Sequence, residues 1–130
     1  CAKIGRYGEA IEWLERSSAA ATQIGYDSLI AQNERVLGFV EAWWLDEPRG
    51  RDRIVRALEI AEAGAYQWDE FQARHALALV DAKRGERTAA RAAFAELERD
   101  AERSGHEAAA VEARVAIAAI DRGELPRAAI

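Results

Sequence analysis

"LALVDAKRGERTAARAAF", residues 77–94, decides how this chain is organised. An alanine-rich helical pattern runs to Arg84-Gly85, stops, and restarts at once with the same small-residue spacing. Glycine ends helices because it enters left-handed backbone without a steric cost, and strong helix formers stand on both sides of it. The stretch therefore reads as two helices joined by a tight turn. Outward from it the pattern repeats: Pro48 and Pro126 sit beside turns, glycines mark the other breaks, and helical spacing fills the segments between. Helices are expected at 7–23, 27–46, 50–64, 67–84, 86–104 and 107–122, with no strand pattern, so the fold class is all-α.

The bulk numbers restrict the function. The chain has 130 residues, 50% hydrophobic and 32% charged, the balance of one folded domain spanning 1–130. Its longest apolar runs are broken by charge and fall short of the roughly 20 residues of a membrane span. A net charge of -5 argues against unaided binding to nucleic acid or an anionic membrane. Cys1 is the only cysteine, which excludes an internal disulfide and a multi-cysteine metal site. There is no methionine, so the chain is expected to be a piece of a longer protein. Cys1 admits two readings: an excised or trimmed domain, or the lipidated residue of a processed bacterial lipoprotein, against which stands the lack of a flexible spacer.

Internal repetition supports the helical reading. "VLGFVEAWW" (36–44), "ALALVDAKR" (76–84) and "RVAIAAIDR" (114–122) align with Gly38, Ala78 and Ala116 in register, a repeat of about 40 residues. The following helices repeat too: "GRYGEAIEWL" (5–14) matches "GERTAARAAF" (85–94), Ala10 meeting Ala90 and Leu14 meeting Phe94. "GRDRIVRALEI" (50–60) is a looser copy with Val55 at the alanine position, and "GELPRA" (123–128) begins another. Between Gly38 and Gly50 lie extra residues carrying "WWLDEP", which a first helix one turn longer would accommodate.

This pattern of a small residue, a turn glycine and an alanine five positions on resembles the tetratricopeptide repeat. Small residues at the crossing let the two helices of a hairpin approach closely. The chain departs from that family in its longer repeats, in keeping the usual tyrosine after the turn only as Tyr7, and in lacking the proline between repeats. The degenerate, alanine- and arginine-rich form is similar to repeats in large bacterial signalling and transcriptional regulators. The resemblance implies about three antiparallel hairpins stacked as a right-handed α-solenoid. It also implies a cytoplasmic, non-catalytic module that binds a protein or peptide in its concave groove.

Carried over residue by residue, the resemblance places Gln32, Arg35, Phe39, Ala42 and Trp43 on that groove in the first repeat. Gln72, His75, Leu79, Ala82 and Lys83 follow in the second, and Ala110, Ala113, Ile117, Ile120 and Asp121 in the third. A floor of Phe39 and Leu79 with Gln and Arg donors at the rim would suit an extended or helical segment; a solvated helix face is the alternative. The third set either is buried or docks a partner. Trp43 and Trp44 point about 100° apart on a helix, so one should pack and the other stand partly exposed, as core or as an aromatic anchor. Trp13 and Trp68 are expected in the core.

No site for chemistry emerges. His75 and His106 lie in no metalloprotease spacing, and the chain holds no nucleophile elbow and no phosphate loop. No enzyme, cofactor or metal is expected. Glu34, Arg74 and Glu112, each four before the small residue, are expected to form a ladder of charge pairs between neighbouring first helices. Two further functions stay open: a lipoprotein scaffold anchored through Cys1, and self-association, including a homodimer, through Trp43, Trp44 and the apolar terminal face.

Overall fold

The computed structural model describes residues 2–128. Cys1, and with it the lipid-anchor reading, lies outside the described residues. Among those described, six helices follow one another: α1 (Ala2–Ile24), α2 (Asp27–Phe39), which runs on into a π-helical segment (Val40–Trp44), α3 (Arg49–Ala63), α4 (Gln67–Lys83), α5 (Arg87–Arg103) and α6 (Glu107–Asp121). No strand occurs among the described residues. The fold is all-α, and apart from the earlier start of α1 each helix begins and ends close to its expected place. None of the described helices is long and apolar enough to cross a membrane.

The chain divides between Ala73 and Arg74, inside α4, into two compact units. In the first, α1 packs on α2 and α2 on α3. In the second, the end of α4 meets α5 through Arg74, 2.9 Å from Asp100, and through the edge of His75 against Phe94. There α5 also packs on α6.

The turns recur with a strict period. Tyr26 N–H donates to the Ala21 carbonyl and Gly25 N–H to Thr22; Tyr66 and Ala65 make the same pair of bonds to Ala61 and Glu62; His106 and Gly105 make it to Ala101 and Glu102. These are Schellman stops, in which two orphan carbonyls of a helix end are satisfied by the next residues. Tyr26, Tyr66 and His106 close them at equal intervals along the chain. The turns at Gly85 and Gly123 have the same bonds, with Glu86 N–H to Asp81 and Glu124 N–H to Ala119. The residue in left-handed backbone is glycine in four of these five turns and Ala65 in the other.

The period extends to the buried faces. Gly50, Ile54, Ala57 and Ala61 of α3 are matched, one full period on, by Ala90, Phe94, Leu97 and Ala101 of α5. Full burial of side chains such as Phe94 and Leu97 stabilises the fold by about 1.5–3 kcal/mol each. The register corrects the sequence alignment. Gly50 itself, not Val55, stands at the position of Ala90. It does so because Gly38 and Gly50 approach each other so closely that neither has room for a Cβ. A Cβ on Gly38 would lie 2.9 Å from both Arg53 Cβ and Ile54 Cγ1, and closer still to the Gly50 carbonyl oxygen.

The expected extra turn before Pro48 is absent: with Gly50 at the position of Ala90, the stretch from Gly38 to Gly50 is as long as that from Ala78 to Ala90, and Val40–Trp44 forms a π segment within that length. Leu45 N–H donates to the Val40 carbonyl, the wide bond of a π turn, at 3.2 Å. The widened turn carries Glu41, whose side chain is fully buried between two arginines of α3. Arg49 Nε donates to its Oε2 at 2.5 Å; Arg53 Nε lies 2.6 Å from Oε1, at an angle that makes an ion pair and no hydrogen bond. Removing both arginines would leave the buried Glu41 carboxylate without compensation, at a cost of about 3–5 kcal/mol.

Candidate functional site

Because α2, α4 and α6 begin one period apart, at Asp27, Gln67 and Glu107, their faces compare position by position. The positions of Gln32, Arg35 and Phe39 continue as Gln72, His75 and Leu79, and then as Glu112, Val115 and Ala119. The expected third set, Ala110, Ala113, Ile117, Ile120 and Asp121, was counted from Ala116 and is two positions out of step. The within-hairpin turn at Gly123 follows Gly85 by slightly less than a full period, which misled the alignment. Ala110 and Ala113 are buried, Ile117 and Ile120 half-buried, and Asp121 is exposed.

In the first unit Phe39 and Trp43 are buried and their rings stack 5.3 Å apart, so they present little surface to a partner. Gln32 is exposed and Ala42 half-buried. Arg35 is half-buried; loss of water lowers its guanidinium pKa, and the nearby carboxylate of Asp69 opposes that. Trp44, 37% exposed, stacks on Tyr7 at 5.8 Å and meets Trp43 edge-on at 6.5 Å. The two tryptophans thus divide as expected, one packed and one partly exposed. In the second unit His75, Leu79 and Ala82 are buried, and Lys83 is exposed; Gln72, in the first unit's share of α4, is half-buried.

Trp13 and Trp68 are corrections: both are exposed, Trp13 by 71%. Trp13 holds the register position of Arg53 and Ala93, so it lies where α1 would meet a preceding first helix. The ion pairs are also arranged differently from the expected ladder. Glu34 reaches Arg53 and Arg56 of α3 at 3.5 and 3.7 Å, and Arg74 reaches Asp100 of α5. Arg114, which takes the third position in place of Glu112, reaches Glu98 and Glu102 of α5 at 3.0 and 2.8 Å. At each of these positions a first helix is pinned to a second helix.

One groove in the second unit gathers the register-corrected residues. It has a volume of about 710 Å³ and is bounded by His75 of α4, by Val111, Glu112, Val115, Ala116 and Ala119 of α6, and by the tail from Arg122 to Ala128. Its apolar side chains are unusually open: Val111 is 49% and Val115 62% exposed. The equivalent residues Ala31 and Phe71 are buried, as is His75, and Arg35 is half-buried. The same holds one turn on, where Gly38 and Ala78 are buried and Ala118 is exposed. Charge lies at the rim, with Glu112, Arg127 and the Arg122–Glu124 pair at 3.1 Å.

No protein-family model matches the chain, and neither the curated proteins nor the solved structures include a significant match to it.

Such a groove suits binding. It offers an apolar strip on one helix with a charged border, the arrangement that receives the apolar face of a helix or an extended segment. Among the described residues no group of three or more His, Cys, Asp or Glu is placed to hold a metal ion. Sequence reasoning missed Val111, Val115 and Leu125, and named Glu112 for the charge ladder and not for the groove. The signal that would have found them is the even spacing of Tyr26, Tyr66 and His106, the residues that close each turn.

Proposed function

We propose that the chain is a non-catalytic protein-interaction module, a tetratricopeptide-like α-solenoid of right-handed hairpins within a larger cytoplasmic bacterial regulator. It takes a helical or extended protein segment on the open face of α6. The observation that carries this reading is the contrast in register: positions covered in α2 and α4 lie open in α6, as Val111, Val115 and Ala118. An exposed strip of this kind, rimmed by charge, marks an interaction surface. Occupancy of the groove would bias the docking of an attached output domain.

The test is comparative capture from a bacterial extract on immobilised wild type, Val115→Glu and the surface control Arg99→Glu. A protein retained by wild type and the control but lost with Val115→Glu supports the reading. Capture that is the same on all three chains removes the groove from the function.

A further inference from the structure

We propose that the turn of the first hairpin is a register switch: it closes either as seen here or one residue earlier, as the turn of the second hairpin does, and the change moves Trp44 off Tyr7 of α1.

The two hairpins have the same length between their crossing residues, from Gly38 to Gly50 and from Ala78 to Ala90, yet they close differently. In the second, Arg84 N–H donates to the Val80 carbonyl, Glu86 N–H to Asp81 and Ala90 N–H to Glu86. The equivalent carbonyls of the first are Val40 and Glu41, and each is taken one residue late: Leu45 N–H donates to Val40 and Glu47 N–H to Glu41. Left-handed backbone moves with them, from the place of Gly85 to Asp46, at a φ of 54°. The residue gained before the turn is returned after it. Gly50 N–H donates to Glu47 at 3.0 Å and Arg51 N–H to Pro48 at 3.3 Å, the tight bonds of a 3₁₀ turn. The two closures therefore have the chain up to Glu41 and from Gly50 onward in common, and the stretch between slides.

The turn residue does not settle which closure wins. Neither Leu45 nor Asp46 is glycine, so either closure places a Cβ in left-handed backbone. What separates them is Arg49. It lies in the stretch that slides, and its Nε donates to Glu41 Oε2 at 2.5 Å, whereas Arg53, 2.6 Å from the other oxygen, lies beyond that stretch. In the second hairpin Ala89 holds the position of Arg49 and Gly85 that of Leu45, and the turn there closes early. Arg49 is 68% exposed, so its half of the pair is released to water without opening the core. The side chain that travels is Trp44, the equivalent of Arg84. It stacks on Tyr7 at 5.8 Å, and a slip of one residue turns it by up to about 100°. Helix α1 and the closure of the hairpin are thus coupled, and two packings that differ in so few bonds make a bistable element.

Thermal melts of the whole chain test whether the early closure exists. Asp46→Val burdens the observed turn, since a β-branched residue resists left-handed backbone, and should lower the midpoint by about 4 °C. Adding Leu45→Gly to it opens the early closure and should raise the midpoint again. In a turn with a single closure the same addition, a glycine at a helix end whose backbone is not left-handed, lowers the midpoint further, and that result overturns the proposal. NMR locates the turn directly. In Leu45→Gly/Arg49→Ala, which brings in the residues of the second hairpin, the positive φ should move to position 45 and the contact between the Trp44 and Tyr7 rings should be lost. Wild type should keep its positive φ at Asp46 and the two rings together. A positive φ that stays at position 46 in the double variant means that the register is fixed, and likewise overturns the proposal.

Discussion

Ala65 holds a φ of 56°, at the turn position where Gly25, Gly85, Gly105 and Gly123 hold 71°, 89°, 80° and 76°. A Cβ in left-handed backbone costs about 1–2 kcal/mol, so Ala65→Gly is expected to stabilise the first unit by about 1 kcal/mol. Urea unfolding would show this as a higher midpoint at unchanged slope. Gly64 beside it is needed for a different reason: the Tyr66 ring lies where a Cβ at this position would be. Asp100 gives a pH-dependent prediction. A hydrogen bond from Arg74, with a further one from Arg103, holds its carboxyl below the usual range. A carboxylate with a depressed folded pKa adds stability above its unfolded value, near about 3.9, and loses it as pH falls through the folded one. Stability of wild type should therefore drop with acid below about pH 4, and Asp100→Asn should flatten that drop while lowering the thermal midpoint at neutral pH. At this scale the sequence was legible at Gly85 and opaque at Ala65, because the turn bonds, and no preference of alanine, place Ala65 there.

The hairpin is the element whose reading survives best. Small residues at the crossing were expected from Gly38 and Ala78, and both are buried. Gly38→Ala should cost about 2 kcal/mol, the usual penalty of overpacking a tight contact, while Ala78→Gly should cost less than Phe94→Ala. Parallel thermal melts of these chains would rank them. The π segment was not legible, and the excess of residues before Pro48 that was expected in its place came from matching Gly50 to Gly85. Its bond pattern is decided by tertiary packing, with Glu41 held between Arg49 and Arg53, and no local propensity announces it. Exposure of Trp13 was equally hidden: helical spacing says which residues share a face, and only the neighbouring helix decides whether that face is covered.

Across the molecule, one period links the described first helices to each other and the second helices likewise. The sequence displayed it through Gly38 and Ala78 and then lost it, because the turn glycine at 123 arrives early. The third set of groove positions was named on that faulty count. Phe39, Trp43 and Leu79 serve the interior, while His75 borders the groove together with Val115 and Ala119, their unrecognised equivalents. A fixed period also has a cost in evolution. A residue gained or lost within an ordinary helix turns everything after it by about 100° and breaks the match of buried faces. A π turn takes in one extra residue while the helix on either side keeps its bonds. The stretch from Val40 to Trp44 is thus the chain's slack, the place where its length can change by one while the other helices keep their register.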